Sequence, residues 1–362
     1  MRIDFLALWG AVLVSTACSQ APISALNPDV SPTLLGGTPT LISAAGGEVH
    51  FATVRQITFA GENAEAYFSG DGQWITFQAT HGDHPCDQQW VMRADGSNLR
   101  RISDGRGKTT CGWFFPGSKK LLFASTSAHD AVCPVRPDPS KGYVWPLDRY
   151  DIYTVNRDGS ELKRLTHNDV YTAESVLSPD GKRIVFTSLK DGDLDIYTMN
   201  VDGSNVRRLT NTPGYDGGAW WSPDGKELVY RSNHPREGPE LQQYRDYLAQ
   251  GLVRPSKVEL FLMNADGSNQ RQITNLGGAN FGPSWTPDGK RIVFSSNYKN
   301  PRSGNFDLYT VNRDGSGLEQ LTFDESFDGF PMFSPDGKKL IWASNRHANK
   351  PNETNLFIAD WQ

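Results

Sequence analysis

The chain has 362 residues, a formal net charge of -5 and a pI near 5.8, and this mild acidity argues against nucleic acid as its main partner. Its 35 glycines, 22 prolines and 11% aromatic residues, with a mean hydropathy of -0.51, are typical of a turn-rich soluble β protein. Beyond the N-terminal segment, no stretch approaches the roughly 20 apolar residues that a membrane helix needs.

The first 18 residues have the pattern of a secretory signal peptide. Arg2 precedes a short apolar run, and small residues lead up to Cys18. The ending S-T-A-C resembles the cleavage box of bacterial lipoproteins, in which the cysteine carries the lipid, although Ser15 stands where that box usually has leucine. We therefore predict a signal peptide over residues 1–18 and lipidation of Cys18. Plain secretion with cleavage nearby is the alternative.

The next segment, residues 19–45, is rich in Pro, Ser, Ala and Gly, which is typical of a flexible tether. We predict that it holds a folded body, residues 46–362, away from a membrane. The protein would then be exported to the periplasm or the outer membrane as a lipoprotein of the cell envelope.

A recurring phrase predicts the fold of that body. SPDGKRIVFTS, from Ser178, returns as SPDGKELVYRS, TPDGKRIVFSS and SPDGKKLIWAS. With a copy around Asp71 and the degenerate PGSKKLLFAS from Pro116, a unit of about 44 residues occurs six times. A period of about 40–45 residues with four strands per unit is typical of β-propeller blades.

The sequence pattern of each unit predicts four antiparallel strands. In the third unit they are ESVLS, RIVFTS, DIYTMN and VRRLT, and the tight turns PDGK and VDGSN join the first and the last pair. The sixth unit lacks a fourth strand, while an unassigned VRQIT stands ahead of the first unit. We therefore predict an all-β, six-bladed propeller that closes when this N-terminal strand pairs with the last blade, since an open edge would expose unpaired backbone groups.

The phrase S-P-D-G-K-x-[IL]-x-[FYW]-x-S, followed by [DN]-[IL]-[YF]-x-[VM]-N-x-D-G-S, resembles the repeat of the TolB-type, WD-like propellers. The resemblance covers the whole chain after the tether and implies the propeller fold. Its implication for function is broad, because this repeat builds binding proteins, sensor domains and the propeller halves of some peptidases. No segment here corresponds to the N-terminal α/β domain of TolB, so the role of TolB is not carried over.

The two longest connections are predicted on the face opposite the tight turns, where function usually resides. Residues 125–150 join strands two and three of the second unit, and residues 233–257 do the same in the fourth. The latter insertion contains a predicted helix over about residues 239–250, which begins near Pro239 and ends at Gly251. We expect its apolar side to pack on the propeller. A lid or a docking role is the alternative.

The innermost strands and the links before them are predicted to line the mouth of the central channel. Carboxylates there would meet a cationic group and aromatic rings would add contact area. The candidate ligand-binding residues are Glu65, Glu174, Asp216, Asp328, Tyr171, Tyr215, Phe327 and Phe330. Alternatively, the carboxylates cap backbone N–H groups or hold a Ca²⁺ ion through oxygen ligands; no other cofactor is predicted.

Beyond Cys18, the cysteines are Cys86, Cys111 and Cys133, all predicted on the loop face in adjacent blades. In an exported protein we expect one disulfide among them. The insertion that contains Cys133 needs anchoring, so we expect Cys133 to take part, with Cys86 preferred over Cys111. A zinc site with nearby histidines is the alternative, although no ligand spacing supports it.

Signatures of catalysis are scarce, because the sequence has neither a G-x-S-x-G elbow nor an H-E-x-x-H motif. We predict a non-catalytic, monomeric, membrane-anchored propeller that binds an envelope protein, a peptide or a glycan through its loop face and channel mouth. The alternative is a metal-assisted carbohydrate lyase or hydrolase at the channel mouth. His167, on an interblade link, is the one histidine that we place on the channel side for that reaction.

Overall fold

Six antiparallel sheets follow one another along the chain as the blades of a β-propeller, and this confirms the predicted fold. The computed structural model describes residues 39–81 and 84–362. The predicted signal peptide, the lipidation of Cys18 and most of the predicted tether lie outside the described residues and stay predictions.

The strands are numbered in chain order. Ahead of the first blade lie β1 (Thr40–Ile42) and β2 (Phe51–Gln56). Blade 1 consists of β3 (Glu62–Phe68), β4 (Trp74–Thr80), β5 (Gln88–Arg93) and β6 (Arg100–Arg101). The second unit contains β7 (Thr109–Phe114), β8 (Lys120–Ser125), a 3-10 helix (Pro139–Lys141), β9 (Trp145–Pro146), β10 (Asp151–Asn156) and β11 (Lys163–Arg164). Blade 3 consists of β12 (Thr172–Leu177), β13 (Arg183–Ser188), β14 (Asp195–Asn200) and β15 (Arg207–Arg208).

The second half of the chain follows the same order. The fourth unit contains β16 (Tyr215–Trp221), β17 (Glu227–Asn233), helix α1 (Pro239–Leu248), β18 (Leu252–Val253), β19 (Glu259–Asn264) and β20 (Arg271–Gln272). Blade 5 consists of β21 (Asn280–Trp285), β22 (Arg291–Ser296), β23 (Asp307–Asn312) and β24 (Glu319–Gln320). Blade 6 begins with β25 (Asp328–Phe333), β26 (Lys339–Ser344) and β27 (Asn355–Trp361). Strands β9 and β18 belong to the two insertions and not to the blades.

Blade 6 is completed by a strand from the N-terminal side of the propeller. Its sheet has the order β1-β2-β27-β26-β25, and Val54 of β2 pairs with Ala359 of β27 in antiparallel register. The prediction that an N-terminal strand closes the ring is therefore confirmed. Strand β1 adds a fifth strand outside β2, so this sheet begins within the segment 19–45 that the sequence analysis assigned to a tether.

The middle strands are buried on both faces, because each blade is packed between two neighbours. In β13, Ile184, Val185 and Phe186 are each at most 2% exposed. Ile184 and Phe186 join a cluster with Leu122 of blade 2, whereas Val185 joins a cluster with Leu228 of blade 4. Alternate side chains therefore face opposite neighbours, which explains why these strands show a continuous apolar run.

The recurring phrase forms the first tight turn of a blade. In blade 3, the Ser178 hydroxyl and the Lys182 amide both donate to Oδ1 of Asp180, at 2.6 and 3.1 Å. Gly181 follows with a φ of 71°, a left-handed conformation that glycine adopts without a steric cost. Hydrogen bonds from Ser178 and Lys182 lower the pKa of Asp180. The phrase recurs because every blade has to turn there.

Helix α1 begins with Pro239 at its first turn and packs on the propeller through one side. Leu241 is buried, and Tyr244 and Leu248 pack against the apolar cluster that contains Tyr215. Over residues 39–81 and 84–362, we find no helix whose length and apolar character would let it cross a bilayer.

Candidate functional site

Each innermost strand carries a bulge that brings one residue into the left-handed backbone region. The six residues occupy the same position of the repeat, with φ between 52° and 59°: Glu65, Cys111, Glu174, Gly218, Gly282 and Phe330. The strands that carry them contact one another in a closed circle, from β3 through β7, β12, β16, β21 and β25 back to β3. The bulges therefore place these six residues around the central channel.

The carboxylate of Glu174 is fully engaged by blade 4. Arg231 donates through Nη2 to Oε1 of Glu174, and the Gly218 amide donates to Oε2 at 2.9 Å. Nε of Arg231 donates to the Tyr215 hydroxyl at 2.6 Å. Burial opposes the charge of Arg231, but Glu174 and Tyr215 outweigh it and hold the pKa of Arg231 above its ordinary value.

The glycines of YDGGAWW make room for this ion pair. A Cβ atom on Gly217 would lie 2.7 Å from both Oε2 of Glu174 and the Tyr215 hydroxyl. A Cβ atom on Gly218 would lie 2.6 Å from Nη1 of Arg231. Both separations are shorter than ordinary van der Waals contact, so the backbone of β16 has to approach the ion pair without side chains.

Glu65 is the carboxylate of the channel that has no counter-ion. Its Oε2 atom is buried and has no hydrogen-bond partner among the described residues. Burial raises the pKa of Glu65 to about 7, and the charge of Glu174 contributes in the same direction against the opposing effects of Cys111 and Arg231. The residue as a whole has intermediate exposure, so part of it is open to solvent.

Cys111 lies between these two acids in the order of the blades, and its thiol is free. The thiol lies 3.2 Å from the Thr110 hydroxyl. Burial raises the pKa of Cys111 well above its ordinary value, and the charges of Glu65 and Glu174 add to this effect. The group is therefore a protonated thiol at neutral pH, which is a poor nucleophile. We call Glu65, Cys111, Glu174, Tyr215 and Arg231 the channel cluster.

Three aromatic rings close the channel beyond the bulges. Tyr67, Trp113 and Trp220 come from blades 1, 2 and 4, and their ring centroids are 4.8–5.7 Å apart. The edge-to-face contact of Trp220 with each of the other two rings is a favourable aromatic geometry. Because these blades lie on different sides of the axis, the rings form a floor next to the channel cluster.

The two insertions meet on the other side of the cluster. Strand β9 pairs with β18, with Trp145 opposite Val253. The guanidinium of Arg231 lies 4.9 Å from the centre of the Trp145 ring, a cation–π contact, and Trp145 also meets the ring of Phe281 edge-on. Near its other end the first insertion is tied to blade 1, because Arg136 donates to Glu62 at 2.9 Å. The insertion thus crosses from blade 1 to blade 4 and partly covers the channel mouth.

A disulfide between Cys86 and Cys133 forms a second tie between the first insertion and blade 1. Cys86 lies in the loop after β4, and Cys133 lies in the insertion after β8. The pair encloses 47 positions of sequence. The structure thus leaves Cys111 as the free thiol in the channel.

The structure brings together part of the set of residues selected from the sequence. Glu65, Glu174 and Tyr215 meet in the channel cluster, and Tyr171 is close enough for the charge of Glu174 to affect its pKa, which burial raises well above the ordinary value. Phe330 is the bulge residue of blade 6, and its aromatic side chain packs against that of Phe281.

The other selected residues lie apart from the cluster. Asp216 is fully buried and its Oδ1 lies 3.0 Å from Nε2 of His234. Asp328 is also fully buried, where it pairs with Arg346. Phe327 packs with other rings in the apolar cluster under the insertions. Glu65 and Glu174 are therefore the two selected carboxylates that lie at the bulges around the channel.

Arg231 and Trp145 were not selected from the sequence. A signal for Arg231 exists in the repeat, because the same position of the second strand is uncharged in the other units, with the small residues Ala124, Thr187 and Ser295 in three of them and Gln78 in the first. A cation at a position that is otherwise uncharged indicates a buried partner. Trp145 has no equivalent in the repeat, so its position over Arg231 has no comparable signal.

Two family models match overlapping parts of the chain. One is described as the Tricorn protease N-terminal beta propeller domain and matches residues 136–255; the other is the TolB beta propeller domain and matches residues 238–356. A TolB structure from Agrobacterium tumefaciens superimposes with a TM-score of 0.57 at 17% identity, over 85% of this chain and 93% of that one. The fold is a β-propeller with TolB-like repeats.

Other solved structures share the fold of the TolB-type propeller. TolB from Acinetobacter baumannii superimposes with a TM-score of 0.53 at 18% identity, over 83% of this chain and 64% of that one. An oligogalacturonate lyase in complex with manganese superimposes with a TM-score of 0.54 at 16% identity, over 91% of this chain and 97% of that one. At these identities the likeness shows the fold alone.

One stretch of the TolB-type propeller is also similar to a curated protein, the Dipeptidyl-peptidase 5 of Porphyromonas gingivalis. The two sequences are 51% identical over 39 residues, which is 11% of this chain and 6% of that peptidase. The match therefore spans far less than two thirds of the peptidase, and its length is close to that of one repeat unit.

Glu65→Gln is expected to reduce the pH dependence of stability of the TolB-type propeller. The pKa of Glu65 is about 7 in the folded state against an ordinary value of 4.5. Between these values the folded protein binds more protons than the unfolded chain, so stability falls as pH rises through this window and stays low above it. The difference corresponds to about 3 kcal/mol.

Urea unfolding at about pH 5 and about pH 8 measures this effect. Between about pH 5 and about pH 8, the free energy of unfolding of the wild-type protein should fall by about 3 kcal/mol more than that of Glu65→Gln. Glu62→Gln is the matched control, because the side chain of Glu62 is 39% exposed and lies on the same strand. Equal losses in the wild-type protein and Glu65→Gln would contradict the prediction.

Proposed function

We propose that the protein is an exported, membrane-anchored binding protein that takes the amino group of a peptide into its channel. The observation that carries this proposal is the buried Oε2 atom of Glu65, which lacks a partner among the described residues. A buried carboxylate without a counter-charge is costly, and a ligand ammonium group would relieve that cost. Export is supported by the signal-like N-terminus and by the disulfide, since disulfides persist in oxidising compartments.

The charges of the channel cluster favour a cation over an anion. Arg231 is neutralised by Glu174 at side-chain exposures of 8% and 12%, so that pair presents little net charge to a ligand. Glu65 has no cationic partner, and its ionised form, which predominates above its pKa of about 7, supplies an uncompensated negative charge. Tyr67 and Tyr171 provide aromatic surface close to the acids, which suits a group that joins a cation to an apolar stem.

The rim of the mouth favours a peptide as the carrier of that amino group. On the first insertion, the side chains of Val132, Val135 and Tyr143 are exposed by 67%, 92% and 60%. Exposed apolar and aromatic side chains beside a polar pocket are typical of surfaces that bind other chains. A peptide terminus could place its amino group at Glu65 while the following residues contact this rim.

Peptide binding tests the proposal directly. A pool of short peptides with free N-termini is expected to raise the melting temperature of the full protein, and the same pool after N-acetylation is not. Glu65→Gln keeps the shape of the side chain and removes the charge, so it should weaken binding by at least about tenfold. Glu62→Gln should bind as the wild-type protein does.

Two results would overturn this function. Equal binding of the acetylated pool would show that the amino group is not recognised. Unchanged affinity in Glu65→Gln would show that the charge of Glu65 is not the determinant. Binding of amino sugars without any binding of peptides would replace the peptide by a glycan ligand.

The sequence left a metal-assisted lyase or hydrolase as the alternative. In the part of the chain that the structure describes, no group of three or more His, Cys, Asp or Glu side chains is arranged to hold a metal ion. No observation on these residues favours that reaction over binding.

A further inference from the structure

A cleft of about 640 Å³ opens between blades 1 and 2 on the face of the tight turns, opposite to the insertions. Its lining includes Trp74 at the start of β4, Arg100 in β6, and Lys119, Arg157 and Asp158 in two turns of blade 2. The volume lies within the range of about 300–1,000 Å³ that is typical of small-molecule sites. The sequence pattern predicts function on the opposite face, which carries the two insertions.

The lining of the cleft has an excess of positive charge. It contains three cationic side chains, Arg100, Lys119 and Arg157, against the single carboxylate of Asp158. That carboxylate is used within its own turn, where Oδ1 accepts hydrogen bonds from the Ser160 amide at 2.9 Å and from the Ser160 hydroxyl at 2.5 Å. Over residues 39–81 and 84–362, none of the three cations forms an ion pair within 4.0 Å.

The equivalent position between blades 4 and 5 contains an ion pair that the cleft between blades 1 and 2 lacks. The turn N-R-D-G-S is identical in blades 2 and 5, and Arg313 of blade 5 forms an ion pair with Glu227 at the start of β17. In the cleft, Trp74 stands at the position of Glu227. Arg157 therefore stacks over the Trp74 ring, 3.9 Å from its centre, and donates to the Ser118 carbonyl at 2.7 Å.

A second carboxylate is also missing from this place in the repeat. In blades 4 and 5, the lysine of the PDGK turn lies 3.7 Å from the aspartate of the same turn, as in the pair Lys290–Asp288. The degenerate turn PGSK of blade 2 has Gly117 at the aspartate position. Lys119 is therefore left without that counter-charge. The carboxylates that neutralise the equivalent cations between blades 4 and 5 are thus both absent here, with Trp74 at one position and Gly117 at the other, and this leaves the cleft cationic.

We propose that this cleft, lined by Trp74, Arg100, Lys119 and Arg157, binds a small polyanion. Two guanidinium groups and an ammonium group suit a ligand with at least two carboxylate or phosphate groups, because arginine recognises both through paired N–H donors. Trp74 supplies an apolar wall and holds Arg157 in place by stacking. The cleft and the channel cluster lie on different faces, so this site is independent of peptide binding.

Calorimetric titration of the full protein with two probes, citrate and inorganic pyrophosphate, tests the proposal. At low ionic strength at least one probe should bind with a Kd below about 1 mM, and added salt should weaken it. Citrate binding without pyrophosphate binding identifies a polycarboxylate as the ligand class. The reverse result identifies a ligand that carries phosphate groups.

Variants of the cleft and of its repeat equivalents make the test specific. Trp74→Glu imports the carboxylate of the blade 4–5 position, and Arg157→Gln removes one cation. Each should weaken binding by at least about tenfold. Arg313→Gln and Lys182→Gln change the corresponding positions of other blades and should leave the affinity unchanged.

Three results would overturn the polyanion site. The first is that neither probe binds to the wild-type protein. The second is that Trp74→Glu and Arg157→Gln, both shown to be folded by circular dichroism, bind as the wild-type protein does. The third is that the two control variants weaken binding as much as the cleft variants, because this would indicate diffuse attraction to the surface.

Discussion

Arg346→Met is expected to lower the free energy of unfolding by about 3–5 kcal/mol. Arg346 is 4% exposed, and its Nη2 atom lies 3.0 Å from Oε1 of Glu48 and 2.7 Å from Oδ2 of Asp328. The side chains of both acids are 0% exposed. Methionine would fill a similar volume but would leave two buried carboxylates without a counter-charge, which is costly in a medium of low polarity.

The decrease in the free energy of unfolding that Arg346→Met causes should grow as the pH rises. Burial raises the pKa of Asp328 in the wild-type protein, and the charge of Arg346 opposes that rise. Without Arg346 the pKa of Asp328 would rise further. When the pKa of an acid is raised in the folded state, the free energy of unfolding of the protein falls as the pH increases through that pKa. The free energy of unfolding of Arg346→Met should therefore be lowest in alkaline solution.

Urea unfolding of Arg346→Met and of Arg55→Met provides the matched comparison. Arg55 pairs with Asp360 in the same blade, at side-chain exposures of 29% and 32%, and joins the same closing strand to β27. A partly exposed pair contributes about 0–1 kcal/mol, so Arg55→Met should have a small effect. Equal losses in the two variants would show that burial of the Arg346 pairs does not determine their contribution.

Loss of the Cys86–Cys133 disulfide is expected to destabilise the protein by about 4 kcal/mol. The two cysteines are separated by 47 positions, and a cross-link of that span strongly restricts the unfolded chain. The exposed pair Arg136–Glu62 ties the same insertion to blade 1, but an exposed pair is too weak to replace the disulfide. The insertion near the channel mouth should therefore loosen as well.

Thermal unfolding of the double variant Cys86→Ser, Cys133→Ser with and without dithiothreitol measures this effect. The reductant should lower the melting temperature of the wild-type protein to that of the variant and leave the variant unchanged. Cys111→Ser controls for the free thiol and should still respond to the reductant. A wild-type protein that is insensitive to full reduction would contradict the prediction.

The number of blades and the closure of the ring could be predicted because the information is local. Each S-P-D-G-K phrase specifies one turn through hydrogen bonds between neighbours, such as those from Ser178 and Lys182 to Asp180. Counting these turns counts the blades. The missing strand at the end of the sixth unit and the unassigned strand near Val54 then imply the closure.

The channel cluster could be predicted only in part, because its contacts join distant positions. Glu174 and Arg231 are 57 residues apart, and nothing near Glu174 in the sequence indicates the arginine. The same limit applies to Asp328, which the repeat places at the channel mouth. Arg346, in the loop after β26, pairs with both Asp328 and Glu48, and Asp328 is buried in that pairing instead of facing the channel mouth.

The closing strand has a consequence for the order of folding. Val54 leaves the ribosome long before its partner Ala359, whereas the strands within blades 1–5 pair with near neighbours in sequence. Local hairpins form quickly, but contacts across about 300 residues require closure of a long loop and come late. The ring should therefore remain open, with one edge of β2 exposed, until β27 pairs with it. This interval is when the chain is most exposed to strand exchange with a second copy.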